Sequence, residues 1–388
     1  VIDIVVVLRA EDAVLDFLSV LADPGGAQTE VVVAGSGTVL TLPAGAPPAE
    51  RLALLGPLVG PAGPADAPSG PGPDAAALIA RAGAGRPARI WTHSPADNRR
   101  SRGTLGRSVA RAAAGAALPV RHAVGYSPYL QFVSDLDHPL SRELVSAKLE
   151  FVNHWCAHLL ACDHPQHMLR TARVPSAERF FEADEEERDR LFALLASLDD
   201  EAASVADPWE FDSSRYEADR LDATAAWIAR HCPPQSGQLV EVGACEGALT
   251  RRLAAAGHQV LATEPNPRFR TRLAAALAGT PAVRIGDADL AALTGPASPA
   301  SPAHLLIEML YYGQDLDLID RLPTERVLVA LEPATLDARL RPWLAGSRNW
   351  RAAEETELVG PRLEPVCGGR AYLSKRGSTG VLLRRTRG

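Results

Sequence analysis

Apolar residues near the start of the chain come in continuous runs instead of alternating with polar ones. Residues 3–8 (DIVVVL) and 29–37 (TEVVVAGSG) each read as a strand covered on both faces. Between them EDAVLDFLSVLAD carries its apolar residues at helical spacing. Residues 43–73 are dense in Pro, Gly and Ala, which predicts a surface excursion without helix or sheet. The pattern then gives a short helix over 74–82, a strand over 88–91 and a helix near 101–114. Residues 141–162 form a strong helix candidate, with Ser141 as cap and Leu144, Leu149, Val152 and Leu159 on the apolar side. The acidic stretch 184–203 reads as a helical connector.

A second rhythm begins near 218. A helix over about 217–230 leads to strand QLVEVG, helix 247–256, strand HQVLATE, helix 267–278 and strand AVRIG. After a Pro/Ser break at 294–302 come strand HLLIEML, a helix near 315–321 and strand RVLVAL. The tail RAYLSKRGSTGVLLRR reads as a hairpin, with Gly377 and Gly380 available for its turn. The prediction is an α/β chain of two domains, 1–183 and 207–388, joined by the connector 184–206, the second doubly wound.

The chain's 388 residues suit two domains, and 46% apolar residues support two cores. The net charge of −7, with no basic run interleaved with aromatics, argues against a nucleic-acid surface. Charges interrupt the opening apolar run, and no stretch of 18 apolar residues follows, so neither signal peptide nor membrane partner is expected. An opening Val suggests that a short true start is missing. Five cysteines at irregular spacing, without a CxxC pair, fit a reducing cytoplasm. Lys148 and Lys375 are the two lysines of the chain; arginine supplies the other cations, which reads as compositional bias.

Residues 240–247, VEVGACEG, follow a strand and open a helix. Gly243 permits a tight turn and Gly247 relieves crowding at the helix start. No GK[ST] follows, so this is no Walker loop, and Ala244-Cys245 replaces the close G-x-G of a dinucleotide fingerprint. Glu264 ends the next strand 21 positions after Gly243, where a carboxylate can accept both ribose hydroxyls. Glu241 would repel phosphate and attract the amine of an amino-acid tail. A ligand with a ribose, a sulfonium, an amino acid and no phosphate fits these charges, namely S-adenosylmethionine. Asp287 or Asp289, in GDADL, could take the adenine amine.

The loop, the acidic strand end and IEMLYYG at 307–313 resemble a class I S-adenosylmethionine-dependent methyltransferase. DPWEFDSSRYEADRLD at 207–222 and EMLYYG resemble the nodulation-type N-methyltransferase group, with Ile307 in place of its usual Ser. The resemblance covers about 200–388. It implies an open sheet with a C-terminal hairpin, S-adenosylmethionine as donor and methylation of amino groups on sugars or related small molecules.

Methyl transfer needs a positioned, desolvated and unprotonated nucleophile. Glu308, after an apolar strand, could orient the amine or receive its proton. It could equally pack beside the sulfonium without acid–base work. Tyr311 or Tyr312 could line the transfer pocket. Tyr216 and Trp209 could cover the cofactor as a lid, or belong to a packing helix. Arg215 and Arg220 could meet a carboxylate. His304 reads as a strand-end residue or a proton acceptor.

The first domain resembles the LmbE-like zinc deacetylases of the PIG-L family, whose first strand ends in P-H-P-D-D-E. LRAEDAV stands there, with Arg9 for a zinc-binding His, Glu11 for the basic Asp, Asp12 retained and Ala13 for Glu. WTHSPADNRRSRG supplies His93 but has RRSRG where a second zinc His belongs. Two lost imidazoles and a nearby Arg should abolish the zinc site, so no metal is expected and the resemblance implies a degenerate, non-catalytic deacetylase domain. It could bind the acceptor, support the other half or form a homodimer. His154, His158 and Cys162 recur on one helix face, with His164 and His167 beyond; packed or exposed histidines are the expected reading there. The expected function is methylation of an amino group on a small polar metabolite. O- or C-methylation and a non-catalytic cofactor-binding protein stay open.

Overall fold

A computed structural model describes residues 1–22, 28–60, 77, 79–80, 87–125, 130–157, 177–195, 202–296, 298–311 and 313–386. The chain divides into two compact units, Val1–Ala202 with Pro365–Leu373, and Ala203–Glu364 with Ser374–Gly388.

In the first unit β1 (Ile2–Val7), β2 (Thr29–Val33), β3 (Thr38–Leu42), β4 (Ala88–Thr92), β5 (Val120–Ala123), β7 (Leu136–Pro139) and β8 (Ala177–Phe181) form one sheet. Its order is β3-β2-β1-β4-β5-β8-β7, and β6 (Leu130–Phe132) lies in a separate, three-stranded sheet. Strands β2, β1, β4 and β5 are parallel; β3, β8 and β7 each run antiparallel to a neighbour. Every residue of β1 is buried: Val5 and Val7 face one core, Ile4 and Val6 another. This two-sided cover is why the strand reads as a continuous apolar run. Strand β3 was not foreseen, and its intermediate exposure accounts for the weak signal.

Helix α1 (Ala10–Leu21) is broken at Phe17, whose φ of −134° is not helical. The break frees the N–H groups of Leu18 and Ser19, which donate to Glu178 at 3.0 and 2.8 Å. Lys148 Nζ completes the buried arrangement at 2.9 Å from Glu178. Lys148 lies on α4 (Arg142–Trp155), after α2 (Pro48–Leu55) and α3 (Arg100–Gly115). As expected, Ser141 caps α4 through Leu144 N, but Leu149 is exposed, and the buried face carries Lys148, Phe151 and Val152. An apolar-only reading of the helix misplaces that face, because the ammonium is paired and its stem packs like a hydrocarbon.

The expected connector is part of this unit. Helix α5 (Glu185–Leu194) buries Leu191 and Leu194 among Leu130, Phe132 and Phe181, together with Val366, Ala371 and Leu373 of the late segment. Residues 371–373 pair antiparallel with β6, and Arg370 reaches Asp135 at 2.7 Å and Glu187 at 3.0 Å.

In the second unit α6 (Arg215–His231) precedes β9 (Leu239–Val242), α7 (Ala248–Ala255), β10 (Val260–Thr263), α8 (Pro267–Ala276), β11 (Val283–Gly286), β12 (His304–Ile307) and β13 (Arg326–Leu331). Strand β14 (Trp350–Val359) and, later in the chain, β17 (Ser378–Arg385) complete the unit; between them β15 (Arg362–Val366) and β16 (Ala371–Lys375) each cross its boundary with the first unit. The sheet order is β11-β10-β9-β12-β13-β17-β14, parallel through β13, with β17 antiparallel to β13 and β14. The expected doubly wound sheet with a late antiparallel strand is therefore present. The expected tail hairpin is different: β17 pairs with β14, and Gly380 lies inside β17 against Trp227, while Gly377 (φ +87°) takes the turn. Sequence reasoning missed β14 because charged, exposed residues dominate it.

Candidate functional site

Two loops meet where the strand order of the second unit reverses, between β9 and β12, the usual ligand crevice of such a sheet. One is 243–247 after β9 and the other starts at Glu308 after β12. They touch, since a Cβ built on Gly243 would lie 3.5 Å from Met309 Cβ.

The first loop has three left-handed residues, Gly243 (φ +71°), Cys245 (+51°) and Gly247 (+83°). Cys245 thus adopts a backbone that glycine accepts at lower cost. Ala244 is buried in the core that also takes Leu249 and Leu273. Gly247 is fixed by packing as well as by φ, because a Cβ there would come 2.6 Å from Leu273 Cδ1 and 3.3 Å from Leu277 Cδ1. Gly247→Ala is accordingly expected to lower unfolding free energy by about 1–3 kcal/mol, read from a urea melt.

Glu264 ties this loop to the end of β10. Its Oε2 accepts from Cys245 N at 2.9 Å and its Oε1 from Asn266 N at 2.8 Å. Burial raises its carboxyl above the ordinary range, and the two backbone donors oppose that shift. A carboxylate oxygen can accept more than one hydrogen bond, so acceptor capacity remains on each.

Glu241 differs from expectation. It is buried, its Oε2 accepts from Thr250 Oγ1 of α7 at 2.7 Å, and burial pushes its carboxyl up to about 7. It lies between sheet and helix instead of presenting an exposed charge to a ligand. Asp289 is an internal cap, its Oδ1 accepting from Ala292 N at 2.7 Å, while Asp287 is exposed just past β11. Trp209 stacks on Phe211 and packs on Phe269 of α8, with ring centroids 6.0 and 5.0 Å away. Tyr216 is buried, and its ring meets Arg362 at 5.2 Å and Lys375 Nζ at 5.6 Å. These contacts fit the packing-helix reading of Tyr216 better than a lid, which must be free to leave. His304 is fully buried, and burial lowers its imidazole to about 4, so it is a neutral core residue. Tyr312 lies outside the described residues.

Glu308 opens the second loop with φ +52°, a strained backbone for a non-glycine residue. Ser378 Oγ donates to its Oε1 at 2.7 Å, Tyr311 OH donates to its Oε2, and Arg220 Nη1 stands 3.6 Å from Oε1. Tyr311 also accepts from Glu332 N at 3.0 Å and is 38% exposed, so the pair borders solvent. Burial raises the Glu308 carboxyl above the usual range, opposed by Arg220, Tyr311 and Ser378. Behind Glu308, Arg220 Nε donates to Glu217 at 2.7 Å, and Lys375 Nζ donates to Glu217 at 3.0 Å and to Glu210 at 3.5 Å.

Sequence reasoning missed Ser378, Glu217 and Lys375. One available signal was the rarity of lysine, since Lys148 and Lys375 are both ion-paired and mostly shielded from solvent. The i, i+3 spacing of Glu217 and Arg220 was the other. The carboxylates that Arg220 meets are the protein's own.

The first unit has a polar cluster at its own switch point, between β1 and β4. Arg102, on α3, bonds Asp12 and lies 3.4 Å from Asp16 and 3.7 Å from Asp97; all four groups are buried. His93 Nε2 accepts from Leu8 N at 3.1 Å, so a neutral ring carries its proton on Nδ1, 3.8 Å from Asp16. Arg9, expected beside an emptied metal position, pairs with Glu11 at 2.8 Å. The guanidinium among the carboxylates comes from RRSRG, the stretch noted for its lack of a histidine. Among the described residues no three His, Cys, Asp or Glu side chains are grouped to hold a metal ion. His154 is exposed with its ring against Trp155, and His158, Cys162, His164 and His167 lie outside the described residues. No described helix is long and apolar enough to cross a membrane.

No family model matches the chain, and no curated protein matches it. Solved structures similar to it include the N-methyltransferase NodS from Bradyrhizobium japonicum with S-adenosyl-L-homocysteine, 17% identical, TM-score 0.35, covering 48% of this chain and 95% of that one. The glycopeptide N-methyltransferase MtfA with S-adenosylmethionine is 13% identical, TM-score 0.32, covering 43% and 87%. An S-adenosylmethionine-dependent O-methyltransferase from Thermotoga maritima is 14% identical, TM-score 0.32, covering 55% and 76%. Similarity this low carries no argument about chemistry. The second unit has a class I methyltransferase-like fold by its own strand order and by the two loops at its switch point.

Proposed function

We propose that the protein transfers a methyl group from S-adenosylmethionine to an amino group of a small polar metabolite. The observation that carries this reading is Glu308, a strained carboxylate at the sheet's switch point, held by two hydroxyl donors and faced by the Arg220 guanidinium, beside a glycine loop that Glu264 closes. The cofactor fits the residues present. A left-handed loop of small residues allows close backbone approach, Glu264 keeps acceptor capacity for ribose hydroxyls, and Asp287 is exposed for an adenine amine. When bound, S-adenosylmethionine supplies the methyl group, an N–C bond forming as the C–S bond breaks and its electron pair leaves with sulfur. Glu308 orients the acceptor amine and takes up the proton it must lose before attack, while Tyr311 fixes the carboxylate's direction. The first unit stands in this reading as a domain without metal chemistry, supported by the Arg102 guanidinium among Asp12, Asp16 and Asp97. Calorimetric titration of the full chain with S-adenosylmethionine tests the proposal, followed by methyl-transfer assays with amine and hydroxyl acceptors. Folded protein that binds no cofactor would sink it, and turnover on hydroxyl acceptors alone would replace the amine by an oxygen nucleophile.

A further inference from the structure

We propose that Arg220 is a positioning residue that keeps Glu308 in its anionic form, and that Glu217 and Lys375 hold Arg220 in place for this task. The inference rests on the proposed amine chemistry for its purpose, because a carboxylate can receive a proton only while it is ionised.

Arg220 and Glu217 lie on α6, Glu308 follows β12, and Lys375 and Ser378 flank the turn from β16 to β17, so three separate pieces of chain converge here. Arg220 is 6% exposed, too deep for water to serve its donors freely. Its Nε donates to Glu217, yet Nη1 is buried without a hydrogen-bond partner and faces Glu308 Oε1 at 3.6 Å. A buried donor left unpaired is costly, and here the cost is offset by the charge opposite. The geometry is that of an electrostatic clamp. The neutral donors Ser378 and Tyr311 give Glu308 its direction, and Arg220 supplies the full positive charge that favours its anion.

The charged and titratable groups around Glu308 pull in opposite directions. Arg220 favours the anion, Glu217 disfavours it, and Tyr311 supports it through its hydrogen bond. Tyr216, itself perturbed by Glu308, stays neutral because burial raises its phenol. Glu217 is in turn neutralised by Arg220 and Lys375, which hold its carboxyl below the usual range. Lys375 therefore reduces the repulsion between Glu217 and Glu308 and also anchors the far side of the clamp. A lysine suits that place: its compact ammonium meets Glu217 and Glu210 at 3.0 and 3.5 Å without the planar fork an arginine would need to fit.

The test reads the Glu308 carboxyl directly and needs no acceptor. Full-length protein with carboxyl-labelled glutamate is titrated by isotope-edited infrared or NMR spectroscopy, the Glu308 signal being the one lost in Glu308→Gln. In Arg220→Gln the midpoint is expected to move up by about one pH unit or more, a tenfold loss of anion on the acid side of the midpoint. Arg220→Lys is expected to restore at least half of the shift, which a merely structural role would not do. Glu217→Gln, which frees Arg220 from its anchor but keeps its charge, moves the midpoint less than Arg220→Gln. An Arg220→Gln midpoint matching the wild type overturns the proposal. If Arg220→Gln does not fold, Arg220→Met, which keeps much of the side chain's bulk without its charge, decides by the same criterion, and a midpoint matching the wild type is equally fatal. Calorimetry with S-adenosylmethionine on the same samples separates the two ideas. A shifted carboxyl in protein that binds no cofactor sinks the methyl-transfer reading, and an unshifted one in protein that binds it sinks only the role of Arg220.

Discussion

Glu264→Ala is expected to weaken S-adenosylmethionine binding about 100-fold or more. Two losses combine. In the proposed complex the carboxylate accepts the ribose hydroxyls, and hydrogen bonds to a charged group contribute about 1.5–3 kcal/mol each. The same carboxylate accepts the N–H groups of Cys245 and Asn266, so alanine also leaves the loop without its tie to β10. The tie matters because Cys245 holds a left-handed φ of +51° that an L side chain resists. A freed loop relaxes towards ordinary backbone and must be reordered by each ligand that binds. A Glu264→Gln variant separates the contributions. Its amide keeps one acceptor oxygen but turns an N–H towards one of the two backbone donors, so a loss of about 10-fold is expected. Calorimetry gives the dissociation constants, and urea unfolding shows how much of each loss is loop stability. An unchanged constant in folded Glu264→Ala would remove Glu264 from the cofactor site.

What could be read in the sequence follows from how each signal arises. Strands buried on both faces, such as β1 and β13, are legible because a short, continuous run of β-branched and apolar residues suits a strand covered on both sides and little else. Strand β14 was not, since an edge strand with Glu354, Glu355 and Glu357 looks like a charged loop. Local geometry was legible where a loop defines it: Gly243 and Gly247 take the left-handed backbone, and the carboxylate of Glu264 follows β10. Chemistry assembled from distant segments was not. Ser378 lies 70 positions from Glu308 and Lys375 lies 158 positions from Glu217, and no periodicity links such pairs. Glu241 shows the opposite failure, a correctly located carboxylate whose direction into the layer beneath the loop could not be inferred without Thr250. In the first unit Asp12 was legible as a carboxylate following β1, but only the fold shows that Arg102 reaches it.

If the proposed methyl transfer runs through Glu308, Glu308→Gln is expected to lower its kcat about 100- to 1,000-fold while leaving the dissociation constant for S-adenosylmethionine within about threefold of the wild type. Glutamine is nearly isosteric, so Ser378 Oγ can still bond the amide oxygen and the loop keeps its shape. What is lost is the ability to receive a proton and the negative charge that pairs with an arriving ammonium. The protein holds this side chain on a strained backbone and surrounds it with Ser378, Tyr311 and Arg220, an arrangement that simple packing against a cofactor would not require. The acid limb of the wild-type rate should fall above the ordinary glutamate range, because burial raises the carboxyl and the anion is lost as pH drops through that raised value. In Glu308→Gln this limb should vanish together with most of the rate. Steady-state kinetics distinguishes the two tasks. A raised KM with kcat preserved would mean that Glu308 only binds the acceptor, whereas a fall in kcat with KM little changed places it at the transition state. An enzyme that kept both constants would leave Glu308 as packing and move the search for the proton acceptor to the acceptor amine's own neighbours.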